Sequence, residues 1–155
     1  MPHIIDYTDT YAAAFKNINI AWLEKYNLLE DHDLHMLDNP RAIIIDQGGA
    51  IFLAEDNGTI IGSAALLYEH NGIYELAKMT VVPTWRGKGI SKLLLEKCIN
   101  TAQALGAKKI ILFSNDQLQT AIGLYQQYGF KHIAVTDSPF TTANIKMELV
   151  FYTAV

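Results

Sequence analysis

Three features of this 155-residue sequence predict a mixed α/β sheet. Two Asn-Gly pairs, Asn57-Gly58 and Asn71-Gly72, each separate strand-length apolar runs, which is the pattern of tight hairpins. From Ile90 the apolar residues Leu94, Cys98, Ala102 and Leu105 recur at near-helical spacing. A second helical stretch, Leu118 to Tyr128, lies between two further strand-like runs. Hairpins first, then helices interposed between strands, call for one sheet with helices packed on it.

In order, His3 to Tyr7 is a short strand. Thr8 or Asp9 can cap a helix that carries Phe15, Ile18, Trp22 and Tyr26 at spacings of three and four. A second helix, Glu30 to Leu37, is stopped by Asp38-Asn39-Pro40. Residues 40–50 are mixed, with a short apolar Ile43-Ile44-Ile45 and a Gly48-Gly49 break. Ile51 to Glu55, Thr59 to Tyr68 and Ile73 to Val82 are strands. Gly106 ends the helix that starts at Ile90, Lys108 to Ser114 is a buried strand, and Gly129 closes the helix ending at Tyr128. Phe130 to Val135 and Ile145 to Tyr152 complete the sheet. No repeat, linker or low-complexity tract interrupts this order, so residues 1–155 are expected to form one domain.

Half of the residues are hydrophobic and the formal charge is −4, which argues against nucleic acid as the main partner. No apolar run is long enough to cross a bilayer, so no membrane association is expected. Met1-Pro2-His3 lacks the charged and apolar regions of a signal peptide. The single cysteine, Cys98, falls on an apolar stripe, excludes an intramolecular disulfide and suits a reducing, cytoplasmic location. His32 and His35 sit three apart without further ligands, so no metal is expected.

Chemistry concentrates at Val81 to Leu95, VVPTWRGKGISKLLL. An apolar run ends at Pro83, and Arg86-Gly87-Lys88-Gly89-Ile90-Ser91 leads directly into a helix. The first turn of a helix leaves backbone N–H groups unpaired and carries partial positive charge. Glycine lets a diphosphate approach that backbone closely. Arg86, Lys88 and Lys92 add full positive charge. A polyphosphate-bearing ligand is the natural guest, although a tight strand-to-helix turn also calls for glycine. Neither the Walker frame nor Gly-x-Gly-x-x-Gly is met, since Lys92 stands three residues after Gly89.

Arg86, Gly89 and Ser91 resemble the Arg/Gln-x-x-Gly-x-Gly/Ala acyl-CoA signature of the GNAT superfamily of N-acetyltransferases, with Ser91 in place of Gly or Ala. Leu124-Tyr125-Gln126-Gln127-Tyr128-Gly129-Phe130 is similar to the family's second block, a Tyr-x-x-x-Gly-Phe helix end. The resemblance is strongest over about residues 50 to 135. Tyr74 to Met79 and Ala143 to Met147 look like segments of a bacterial subgroup. The resemblance implies a mostly antiparallel sheet splayed between two central strands and flanked by about four helices, the acyl-CoA N-acyltransferase fold. It implies acetyl-CoA as co-substrate and no metal. The pantetheine arm would pair with Met79, Thr80 and Val81, and the pyrophosphate would lie on the amides of Arg86, Gly87, Lys88, Gly89, Ile90 and Ser91.

The implied reaction is direct acetyl transfer to a small-molecule or peptide amine. It needs a neutral amine, an oxyanion donor and a proton for the departing thiolate. By resemblance the proton comes from Tyr125, and the oxyanion donor is a backbone N–H within Met79 to Val81. Glu75 is the candidate base; strand alternation puts it on one face with Ala77, Met79 and Val81 if no bulge intervenes. Lys78, on the other parity, either pairs with a carboxylate or is solvated. The asparagine that many members carry seven residues before the tyrosine is Leu118 here. Asn115 caps the following helix or reaches the CoA arm. Trp22, Tyr26, Glu30, Tyr74, Phe140 and Asn144 are candidates for the acceptor pocket. The alternative is a non-catalytic acyl-CoA-binding or regulatory module. The C-terminal strand offers an edge through which two copies can pair.

Overall fold

The computed structural model describes residues 1–152. Seven strands and four α-helices follow the order β1 (His3–Asp6), α1 (Ala12–Lys25), α2 (Asp31–Asp38), β2 (Ala50–Asp56), β3 (Thr59–Tyr68), β4 (Ile73–Val81), α3 (Ile90–Ala104), β5 (Lys109–Ser114), α4 (Gln119–Gln127), β6 (Lys131–Ile133) and β7 (Ile145–Val150). Three short helical turns, Asp9–Tyr11, Arg41–Ile45 and Pro83–Trp85, fill the connections. The turn at Arg41–Ile45 resolves the stretch whose sequence is mixed.

The strands form one sheet in the order β1-β2-β3-β4-β5-β7-β6, antiparallel throughout except between β4 and β5. Hairpin turns at Asn57-Gly58 and Asn71-Gly72 produce the first part, as their left-handed backbone angles require. β4 and β5 pair only at Ile73↔Lys109, Tyr74↔Ile110 and Glu75↔Ile111. Beyond Glu75 the two strands part, and the sheet is splayed there. One edge of β4 from Leu76 to Val81 therefore has no strand partner.

Apolar residues pack on both faces of the sheet. On one face α3 and α4 cover Phe52, Leu66, Leu76 and Leu112 with Leu94, Leu95, Cys98 and Ile122. On the other, α1 and α2 bring Phe15, Met36 and Leu37 onto Ile51 and Leu53. Each such fully buried side chain is worth about 1.5–3 kcal/mol relative to exposure. Leu105 leaves the expected stripe and is 56% exposed, because α3 ends at Ala104 and Gly106, at φ +79°, turns the chain away.

Strand β4 contains a bulge. Ala65 pairs with Ala77 and Ser63 with Thr80, so Lys78 and Met79 together oppose Ala64. Lys78 takes φ +53°, a left-handed angle uncommon outside glycine. The expected common face of Glu75, Ala77, Met79 and Val81 is thereby broken. Met79 and Val81 join Tyr74 and Leu76 on the α3 side, whereas Glu75 and Ala77 keep the opposite parity.

Other expectations shift at element ends. Neither Thr8 nor Asp9 caps α1 through its side chain; a 3-10 turn leads into the helix instead. Phe130 to Val135 contracts to the three residues of β6, and residues 134–144 form an irregular strap before β7. β7 lies between β5 and β6, not at an edge, and is antiparallel to both. The edge expected of the C-terminal strand is taken by β6 from Lys146 to Glu148. Among the described residues no helix is long and apolar enough to cross a membrane.

Candidate active site

The turn ahead of α3 is shaped by two left-handed glycines, Gly87 at φ +73° and Gly89 at φ +82°. Gly89 is the residue preceding the helix, and no side chain caps the first-turn amides. A Cβ added at either glycine would meet no protein atom within 4 Å. The space above this backbone is thus an open cradle at the positive end of a helix of fifteen residues.

That cradle forms one end of a groove of about 550 Å³ that runs down the splay. Met79, Thr80, Val81, Arg86, Gly87, Gly89, Ile90 and Ser91, all singled out from the sequence, line it. Lys88 does not; its ammonium lies 4.9 Å from the Trp85 ring. Arg86 donates from Nε to the Val81 carbonyl (3.2 Å) and stacks its guanidinium on Trp22 (4.7 Å). The opposite wall comes from α4, with Gln119, Thr120, Gly123 and Leu124. Sequence reasoning missed these, although the small residues of α4 at positions 120, 121 and 123 were a readable sign of a close approach. Uncapped amides, open glycines, Arg86 and Lys92 fit a diphosphate, and the unpaired edge of β4 fits an extended amide-bearing arm.

A second cavity of about 120 Å³ adjoins the groove and shares Trp22, Met79 and Ala121 with it. Glu75 and Tyr125 both line it. Glu75 is 5% exposed. Burial pushes its carboxyl up to about 8; the Glu69 carboxylate adds to this, while Lys78 and Lys146 pull it down. Tyr125 packs its ring against Phe130, with centroids 5.8 Å apart. Burial, and the neighbouring Cys98, push its phenol well above the usual range, so Oη keeps its proton. Burial likewise pushes the Cys98 thiol up to about 12, leaving it an inert packing residue.

The bulge turns Lys78 toward α2, where Nζ pairs with Asp33 Oδ1. Both side chains are nearly inaccessible, at 5% and 2%, and both line the smaller cavity. Lys78 therefore pairs with a carboxylate, and the solvated alternative is excluded. The same Lys78 contributes its main-chain carbonyl to the Ser63 hydroxyl (2.7 Å).

The acceptor candidates separate. Trp22 borders both cavities and packs against Tyr26 at a tilt, with ring centroids 4.9 Å apart. Phe140 lines the smaller cavity. Tyr74 is in the core against Tyr68, on the strand face away from Glu75, and lines neither cavity. Tyr26 ends α1, and its carbonyl accepts a bond from the Gln117 side chain (3.1 Å). Glu30 is spent on the strap: Thr141 and Thr142 each donate to its carboxylate through main-chain N–H and hydroxyl. Asn144 Oδ1 accepts the Asp116 amide (2.9 Å). Asn115 does not cap α4, which is preceded by Leu118. Its side chain accepts from the Gln117 amide (3.1 Å) and donates to the Thr142 carbonyl (2.8 Å), which puts it beside the cavity. His32 meets the edge of Phe140, and among the described residues no group of three or more His, Cys, Asp or Glu is placed to hold a metal.

The family model described as Acetyltransferase (GNAT) family matches residues 14–130. The uncharacterized N-acetyltransferase YjgM of Escherichia coli K12 is 34% identical over 100 residues, covering 63% of this chain and 60% of that relative's length. The crystal structure of a GNAT-family acetyltransferase from Staphylococcus aureus Mu50 superimposes with a TM-score of 0.88 at 26% identity, over 96% of this chain and 98% of that one. A GNAT-family acetyltransferase from Brucella melitensis, solved in complex with acetyl-CoA, gives 0.76 at 20% identity, over 100% and 91% of the two chains.

Proposed function

Since the chain belongs to the GNAT acetyltransferase family, we propose that it transfers an acetyl group from acetyl-CoA to an amine held in the cavity beside Glu75. The observation that carries this reading is the junction of the two cavities at Trp22, Met79 and Ala121. A groove fitted to a diphosphate and an extended arm opens there onto a small chamber with a buried carboxyl and a protonated phenol. The neighbour from Brucella melitensis was solved with acetyl-CoA, which supports the same co-substrate here.

The co-substrate supplies a thioester carbonyl as electrophile, and the chain's own groups do the rest. The open amides from Gly87 to Ser91, with Arg86 and Lys92, hold the diphosphate. The free edge of β4 orients the arm, and a main-chain N–H within Met79 to Val81 faces the carbonyl oxygen as negative charge develops. Glu75 takes the proton of the acceptor ammonium. A cation entering the cavity favours the carboxylate form, so the substrate itself arms this base. Tyr125 holds a proton on Oη and offers it to the departing sulfur.

Thiol release from acetyl-CoA, measured over a panel of amines and peptides with wild type beside Tyr125→Phe, tests the reading. Acceptor-dependent release, slowed by about 10²-fold or more in the variant, is the expected result for loss of a general acid. Tight CoA binding with no acceptor-dependent release would make the protein a binding module. Failure to bind CoA at all would sink the assignment of the groove.

A further inference from the structure

The strap of residues 134–144 roofs the small cavity with Phe140, Thr142 and Ala143. Its tip reaches across the splay to the start of α2. There Thr141 donates to Glu30 Oε1 through N (2.9 Å) and Oγ1 (3.0 Å), and Thr142 donates to Oε2 through N (3.1 Å) and Oγ1 (2.5 Å). Both carboxylate oxygens are thus doubly satisfied by the strap, an arrangement of charge-assisted bonds. Burial alone would raise the Glu30 carboxyl, but these four bonds outweigh it and hold it below its usual value. Glu30 itself does not line the cavity.

Three further contacts make the tip a wall. Phe140 is held between His32, with ring centroids 5.0 Å apart, and the Lys78 ammonium at 5.2 Å from its ring. On the far side Asn115 Nδ2 bonds the Thr142 carbonyl (2.8 Å). Gln117 Nε2 bonds the Tyr26 carbonyl (3.1 Å) and ties the α4 side to the end of α1. With four bonds, Glu30 is the main hydrogen-bonded tie of the strap to the α2 side.

We propose that the Glu30 latch on Thr141 and Thr142 limits acceptor bulk, so that small primary amines are preferred to bulky amines and to lysine-containing peptides. The inference rests on the acetyl-transfer reading of the same site. The smaller cavity, about 120 Å³, opens onto the groove and leaves little room beneath the strap. Sites that enclose drug-sized ligands run to about 300–1,000 Å³. An acceptor bulky enough to push the strap aside breaks all four bonds to one carboxylate. Glu30 is in this sense a positioning residue acting through the strap.

The test measures kcat and KM for ethylamine, butylamine, hexylamine and a lysine-containing hexapeptide in wild type, Glu30→Gln and Thr142→Val. Glu30→Gln keeps the side chain's size but loses half its acceptor capacity, and Thr142→Val removes one donor from the other partner. Circular dichroism and CoA affinity confirm that each variant is folded. The ratio of kcat/KM for small over bulky acceptors should fall by about tenfold in both variants, chiefly through KM. Amide exchange at Thr141 and Thr142 should quicken while that of β4 does not. A size profile and strap exchange that neither variant moves would overturn the inference, as would a wild-type preference for the hexapeptide. Wild type inactive toward every amine would instead bring down the acetyl-transfer reading, and this inference with it.

Discussion

Glu75 is placed to be protonated at neutral pH, because burial outweighs the two nearby lysines and puts its carboxyl at about 8. In the proposed role of base it works only when ionised. The expected kcat/KM for an amine acceptor therefore rises with pH up to about 8, and Glu75→Gln should abolish that limb while leaving CoA affinity intact. A rising limb that survives the substitution would assign it to another group. The glycine ahead of α3 gives a separate expectation. Gly89→Ala places a Cβ in the open cradle and a left-handed alanine in the backbone, which costs about 1–2 kcal/mol of stability. CoA affinity, read by titration calorimetry, should fall by about tenfold or more, beyond what a folded variant's lower melting point explains.

The bulge in β4 is the element on which the site turns. It aims Lys78 at Asp33 and reverses the parity between Ala77 and Met79, leaving Glu75 in the chamber and Met79 on the α3 side. Asp33→Ala would leave a buried ammonium without its counter-charge, a loss of about 3–5 kcal/mol. Restoring a neutral, well-packed pair with Lys78→Met in the same chain should recover much of that loss, as read by denaturant midpoints. If the single variant is as stable as wild type, the pair is not holding the strand. This element also marks where the sequence stops being readable. The hairpins, the helix after Gly89 and the second helix announce themselves through local turn residues and spacing. A bulge centred on a lysine carries no glycine to betray it. Its partner Asp33 is 45 residues away, and Glu30 finds its strap more than a hundred residues on. Asp33 reads locally as part of the acidic start of a short helix, and Glu30 as a contact for the acceptor. Tyr74 misled for the opposite reason: its aromatic character suited a pocket, but strand parity sends it into the core.

Across the molecule, the proton on Glu75 couples to folding. An unfolded glutamate loses its proton near 4.5, whereas the native one keeps it to about 8. Between these values the native state binds more protons, so stability falls as pH rises through that window and levels off above it. Glu30 acts oppositely and lower, because its depressed native value withdraws stability only as pH falls. Glu75→Gln should flatten the decline between pH 5 and 8 in thermal or urea unfolding; an unchanged slope would place its cause elsewhere. The splay has a consequence of a different kind. Three residue pairs join β4 to β5, and the exposed Leu105-Gly106 turn lies between α3 and the start of β5. Residues 1–105 and 106–155 should therefore behave as complementary fragments, joined by the core around Leu94, Leu112 and Met147. The groove takes one wall from each, so CoA should act as the mortar of the split protein. Co-expressed halves ought to associate more tightly when it is added, and the ligand would then serve as a reporter of reassembly as well as a source of acetyl groups.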